Sequence, residues 1–357
     1  MKLTRWVFLT FLMSGVAIAQ DIKLVGSFKQ PVKRPNAAHL LMTQPGIQHV
    51  TLLKIQLSAQ AQHTISHRAD KAINEEHKPL LSMTRHPRQV QRGMGNVPVL
   101  NQGGHGTCVT FAASAAVDAA LDKGDYISQL CQLQLGRYLE ENAYMPSGWD
   151  GSFGGIVLNQ MTTFGVVGKA QQRASGCGDL TEYPLGGEAP VAGMSVEQYH
   201  QISEELDQVV WFPLLDMYHV VLDKTDMDKI LNNVKDALSD GDRLTFGVLL
   251  PEVDLGLAGA VGTHHGLFDS WVLTPDIAAA IESKLEFAGH EMVITGYNDD
   301  AMAVDLQGHV HQGLLTLRNS WGKNIGDQGD FYMSYDYFKA LAIEVQQISA
   351  LPIVAQE

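Results

Sequence analysis

Residues 101–113 read Asn-Gln-Gly-Gly-His-Gly-Thr-Cys-Val-Thr-Phe-Ala-Ala, a glycine-rich loop running directly into an apolar, alanine-rich stretch. The stretch predicts a helix over about 108–122, with Phe111, Ala115, Val117 and Leu121 available for packing and Gly124 where a stop belongs. Cys108 then falls in the first helical turn, where unpaired backbone N–H groups and the positive end of the helix dipole favour the thiolate. A free cysteine is otherwise a small buried hydrophobe, so this stretch alone leaves both readings open.

Two later stretches narrow the choice. Gly289-His290-Glu291-Met292-Val293-Ile294 places a histidine at the start of a strand-like run. Leu314-Leu315-Thr316-Leu317-Arg318-Asn319-Ser320-Trp321-Gly322 ends a second strand on Asn-Ser-Trp-Gly. In chain order, Gln102, Cys108, His290 and the Asn319-Ser320-Trp321 block resemble the papain-like (papain/cathepsin) cysteine peptidases, over roughly residues 90–340. The resemblance implies an α+β, two-lobed fold with a helical left lobe and a β-barrel-like right lobe. It also implies roles: Cys108 as nucleophile, His290 as its proton partner, Asn319 orienting that imidazole, and Gln102 in the oxyanion hole. Gly154 and Gly155 would pair with extended substrate, and Trp321 would cover the His–Asn bond. Glu291 stands where the family has a small residue lining the main specificity pocket, which hints at a basic or polar preference. Singly, each residue also fits a structural role.

The chain departs from the family in several places. Val109 follows the cysteine where a tryptophan is usual. His105 and Ser152 stand where the family usually has a disulfide, so both halves of that bridge are absent together. With Cys108 as nucleophile, Cys131 and Cys177 are left as one possible disulfide in an exported protein. His290 lies 182 positions after Cys108 and Asn319 lies 211 after it. Usual separations are about 130–150, so insertions are expected near 190–225 and 255–285.

The remaining sequence sets the organisation. Residues 1–19 read as a cleaved secretory signal: Lys2 and Arg5, an apolar run from Trp6 to Met13, then Ala17-Ile18-Ala19. The protein is therefore expected to be secreted or periplasmic, with no membrane attachment after cleavage. Of a net charge of −14, the signal carries +2 and residues 20–84 carry +4, so the rest carries −20. That balance argues against nucleic acid as a partner. It suits a basic prosegment held on an acidic peptidase by ion pairs that are lost below about pH 5. Residues 20–84 are expected to be that inhibitory prosegment: a mobile lead-in over 20–38, a β-hairpin of 39–42 and 49–57 around Gln44-Pro45-Gly46, and a helix over 66–78 capped by Ser66. Residues 85–357 would be the peptidase domain, helical to about 190 and β-rich from 191.

His264-His265 and His309-x-His311 lack an obvious acidic or cysteine partner set and read as surface histidines, so no metal and no cofactor is expected. The leading reading is a monomeric, secreted cysteine endopeptidase made as a zymogen, acting on protein or peptide substrates. A papain-fold acyltransferase or deamidase using the same triad, and a catalytically silent binding protein, are the alternatives.

Overall fold

The computed structural model describes residues 21–33, 47–74, 86–144, 148–217, 220, 225–251, 260–262, 269–305 and 307–352. The expected signal peptide, the expected strand 39–42 and His264-His265 lie outside these residues.

The helical lobe is built on α2 (Cys108–Ala120), which is buried on all sides from Cys108 through Ala119. Its alanines are the reason. Small side chains let neighbouring elements approach the helix axis from every direction, so a helix apolar all round becomes a central post. α3 (Gln129–Glu141), capped by Ser128 accepting from the Cys131 N–H, and α4 (Gly154–Phe164) lie beside it. α5 (Lys169–Ser175) and the short α6 (Val196–His200) complete the lobe. Cys131 and Cys177 are joined in a disulfide within a cluster of Leu130, Leu133, Trp149, Met194 and Tyr199.

The β-rich lobe is one 11-stranded sheet. β4 (Val209–Leu215), β11 (Ala342–Ala350), β5 (Arg243–Leu250), β8 (Glu286–Asp305), β9 (Val310–Arg318), β10 (Asp330–Ser334) and β7 (Ser270–Trp271) follow one another along it. β3 (Gln89–Gln91) and β6 (Ala260–Gly262) add to β8. β4 and β7 stand at opposite ends of this path, so the sheet is open and the barrel-like closure expected from sequence does not form. β8 is twenty residues long and bulged twice against β9. α7 (Met227–Asp240), α8 (Pro275–Ser283) and α9 (Tyr335–Leu341) pack around the sheet. α7 begins at its Asp226 cap and stops at Gly241, whose φ of 104° suits glycine.

The N-terminal segment corrects the sequence reading. Residues 22–33 form strand β1, paired with β2 (Ile47–Leu57), where a mobile lead-in was expected. Pro31 misled that reading. β1 is an edge strand bonded only to β2, and an edge tolerates a residue with no N–H to give. α1 (Ala59–Asn74) starts seven residues before the expected Ser66 cap. Ser58 is the cap: its hydroxyl accepts from the Ala61 N–H and donates to Asp21 at 2.6 Å. Gln62 Nε2 ties α1 to the carbonyls of Ile281, Glu282 and Lys284 at the end of α8.

Candidate active site

The glycine loop before α2 is held by aromatic packing. His105 is buried edge-on to Trp149, with ring centroids 5.1 Å apart, and Trp149 stacks on Tyr183 at 5.5 Å. The Tyr183 hydroxyl donates to the Gln102 carbonyl at 2.8 Å, and Trp149 Nε1 donates to Gln134. Burial lowers the His105 pKa, so the ring is neutral and apolar enough for this setting. Ser152 is buried as well. At Gly103, with φ +60°, a Cβ would stand 2.2 Å from the Leu185 carbonyl oxygen, so only glycine allows the loop to close there.

The loop delivers Cys108 to the start of α2, preceded by Thr107, which makes no side-chain cap bond. Backbone groups of Glu291 and of Val109 hydrogen-bond the Cys108 sulfur. Burial outweighs them and, with the nearby Glu291 carboxyl, pushes the thiol up to about 12.

On β8, His290 Nε2 lies 2.8 Å from Asn319 Oδ1. That same oxygen accepts the Ser320 backbone N–H at 2.6 Å, which fixes it as the acceptor and makes Nε2 the protonated nitrogen. Nδ1 is buried and without a hydrogen bond, its lone pair free. Trp321 lies over the ring with centroids 4.5 Å apart and planes 25° apart. Burial pulls the His290 pKa down to about 4 despite the Asn319 bond. Gln102 faces this pair from the other lobe. Its Oε1 accepts from the Ser320 hydroxyl at 2.8 Å, and its Nε2 donates to the carbonyls of His105 at 2.9 Å and Thr51 at 3.2 Å.

Thr51 belongs to β2, 51 positions before Gln102, and nothing local in the chain signals this contact. β2 pairs antiparallel with β8 from Gln56↔Glu286 to Leu53↔Gly289, ending one residue before His290. Gly289 admits Ile55, and Gly151 admits Leu24 and Leu53, each where a Cβ would clash. Gln48 Nε2 donates to the Trp321 carbonyl at 2.9 Å. The hairpin therefore lies across both lobes, over buried Cys108 and His290. A cavity of about 250 Å³ remains between it and the glycine loop, lined in part by Gln48, Asn101 and Trp321.

Gly154 and Gly155 open α4, but the Gly154 N–H is taken by the Glu344 carboxylate at 2.9 Å, a residue unremarked in the sequence. Glu291 lies against the same spot: a Cβ on Gly154 would meet its Oε1 at 2.9 Å.

Of the two histidines of the β8–β9 turn, His311 corrects the sequence reading: it is buried and paired with Asp336 at 2.6 Å, whereas His309 is exposed as expected and pairs with Asp305 at 2.9 Å. Among the described residues no cluster of three or more metal-type ligands occurs, and no helix is long and apolar enough to cross a membrane.

Residues 205–351 match the model of the Peptidase C1-like family. No curated protein matches the chain. Among solved structures it is similar to xylellain, a cysteine protease from Xylella fastidiosa: 18% identity, 75% of this chain and 87% of that one, TM-score 0.47. It is also similar to the proform of the Amb a 11 cysteine protease, a major ragweed pollen allergen: 17% identity, 83% and 77% coverage, TM-score 0.45. Digestive procathepsin L 3 of Tenebrio molitor larval midgut matches at 15% identity, 82% and 79% coverage, TM-score 0.45. The family match thus covers residues 205–351, the β-rich part of the chain from β4 through β11.

Proposed function

We propose that the chain is an exported zymogen of a cysteine endopeptidase, with residues 20–84 as the inhibitory segment and 85–357 as the enzyme. The observation that carries this reading is the Gln102 side chain donating to the Thr51 carbonyl while β2 pairs along β8 up to Gly289. A backbone carbonyl occupies the donor meant for a scissile carbonyl, on a strand that β-augments the sheet as an extended peptide would. The hairpin is held by strand pairing and apolar contacts of Leu24, Leu53 and Ile55. The exposed Lys54–Glu286 ion pair contributes little. Charge is thus a smaller part of the hold than the basic composition suggested. The disulfide between Cys131 and Cys177 suits an oxidising compartment, in line with a signal peptide over residues 1–19.

With the hairpin in place, the thiol near 12 and the imidazole near 4 are both neutral at pH 7, and the site is silent. Removing the hairpin admits water, which favours both charged forms: the thiol falls, the imidazole rises, and the Cys108 proton passes to His290 Nδ1. The thiolate then attacks the peptide carbonyl carbon. The resulting oxyanion accepts from Gln102 Nε2 and the Cys108 N–H. The imidazolium returns the proton to the leaving amine, and water attacks the thioester to release the acid. Asn319 keeps the ring in the tautomer that makes Nδ1 the base.

The test is mass spectrometry of the full chain incubated at pH 4.5 and 7.5, with and without an epoxide thiol inhibitor, beside Cys108→Ala. Loss of the first 60–75 residues of the exported form, blocked by inhibitor and absent in the variant, is the expected result. A Cys108 that takes no inhibitor even after the hairpin is cut away would sink the reading.

A further inference from the structure

The loop that joins the two oxyanion donors has little in its own sequence to hold it. Three of the four residues between Gln102 and Thr107 are glycines, Gly103, Gly104 and Gly106. Glycine restrains its backbone less than any other residue. Yet Gln102 Nε2 at one end and the Cys108 N–H at the other must stand in fixed positions about one developing charge. The restraint comes from another part of the helical lobe.

Tyr183 has one hydroxyl proton, and it goes to the Gln102 carbonyl at 2.8 Å, an oxygen that cannot itself donate. The Thr107 hydroxyl, 2.9 Å from the same phenol oxygen, is therefore a donor to it. One phenol oxygen thus bonds both ends of the glycine loop. It holds the backbone of the residue that supplies the first donor and the side chain of the residue just before the second.

Thr107 carries an independent sign of this use. It is 1% exposed and stands at the N-cap of α2, where a threonine oxygen ordinarily accepts an N–H of the first turn. It makes no such bond. Its hydroxyl is turned to Tyr183 instead, and the Val109 backbone is left to bond the Cys108 sulfur. The phenol ring is itself held in place. It stacks on Trp149 with planes 12° apart, and it meets Phe111 of α2 edge-on at 5.0 Å and His105 of the loop edge-on at 6.0 Å. Two residues further on, the Leu185 carbonyl accepts the Gly104 N–H at 2.9 Å.

We propose that Tyr183 is a positioning residue for peptide-bond cleavage, its hydroxyl clamping the two ends of the glycine loop and so setting the spacing between Gln102 Nε2 and the Cys108 N–H. It touches neither the substrate nor the reacting atoms. The clamp is closed while the Thr51 carbonyl occupies Gln102 Nε2, so the donors are already spaced when a scissile carbonyl takes that place. This inference rests on the peptidase reading above.

The experiment compares the full-length chain, after it has processed itself, with Tyr183→Phe, which removes the hydroxyl and keeps the ring. Two reactions of Cys108 are followed at pH 7. Hydrolysis of a peptide amide passes through an oxyanion; alkylation by iodoacetamide displaces iodide from carbon and forms none. Displaced donors should lower kcat for the peptide by about 10- to 100-fold. KM and the alkylation rate should each stay within about 2-fold. Thr107→Val removes the other bond and should act in the same direction, and the double variant should lose no more than about 2-fold beyond the larger single effect. If Tyr183→Phe does not fold, Thr107→Val is read by the same two reactions. An unchanged kcat overturns the proposal. So does a parallel fall in hydrolysis and alkylation, which would place the effect on the thiolate or the fold at large. Either result leaves the peptidase reading standing, because the unmodified chain still cleaves the peptide. If the unmodified chain cleaves no peptide, the peptidase reading has failed and the clamp falls with it.

Discussion

Two buried charge sites sit on β8 eight residues apart and are solved in opposite ways. At Asp299 the Lys235 ammonium from α7 is 2.6 Å from Oδ1, Tyr335 donates its hydroxyl to the same oxygen at 2.7 Å, and the ammonium lies 4.2 Å from the Tyr335 ring centroid. Both ions are almost wholly buried, at 1% and 4% side-chain exposure, and each has its opposite charge. At Glu291 the neighbour is a second carboxyl, and the polar partners of the pair are neutral: the Thr245 hydroxyl, the Gly154 N–H and the Gln346 amide. The first site completes itself within the chain and therefore serves the fold. The second has no cation beside it among the described residues, and burial holds both carboxyls above the usual carboxylate range.

The comparison can be broken at its strong end. Lys235→Ala leaves Asp299 buried without a cation and should lower stability by about 3–5 kcal/mol, read by urea unfolding at pH 7. Replacing Lys235 and Asp299 together by methionine and leucine should recover most of that loss; failure to do so would mean the pair is more than a self-contained ion pair. The acid pair should respond with the other sign. Because the folded state holds the Glu291 proton above the unfolded range, this group's contribution is full below about pH 4.3 and is lost as pH rises through the folded pKa. Glu291→Gln should then lose less stability than the parent as pH rises from 4.5 to 8, and an equal or steeper loss with pH in the variant would contradict a buried, protonated Glu291.

His311 gives a middle case. Burial opposes its charge, but the Asp336 bond and the charges of Asp336 and Asp305 outweigh burial, and its pKa is raised. Its contribution is full below about pH 6.5 and is lost as pH rises through the folded value. His311→Gln should cost about 1 kcal/mol at pH 5.5 and less at pH 9, measured by thermal melts at both. The smallest effect belongs to Lys54→Ala. Its ion pair with Glu286 is 43% and 51% exposed and should contribute under about 0.5 kcal/mol, vanishing in 0.5 M salt. A larger loss would mean that charge holds the hairpin after all.

The catalytic candidates were legible because their signals are local. A glycine loop before an alanine-rich helix fixes where Cys108 falls, and a strand ending in Asn-Ser-Trp fixes Asn319. The helices over 129–141 and 227–240 start at side-chain caps, Ser128 and Asp226, that the chain carries within a few residues. The misreadings have one source. Pro31 forbids a central strand but not an edge, and edge or centre depends on what lies alongside. His309 and His311 alternate on a turn as surface residues would, yet Asp336 reaches His311 from a helix 25 positions later.

Sequence by itself therefore determined the identity and order of the candidate site residues, since helix starts and turns arise from near neighbours along the chain, whereas burial in the tertiary structure reversed the thiolate tendency expected of Cys108. Tertiary structure alone decided which groups meet. It placed Thr51 on Gln102, left the sheet open, and set Glu344 against Glu291 although 53 residues separate them. Burial and charge pairing depend on distance through space, and the periodicity of a single strand does not encode which strand will lie beside it.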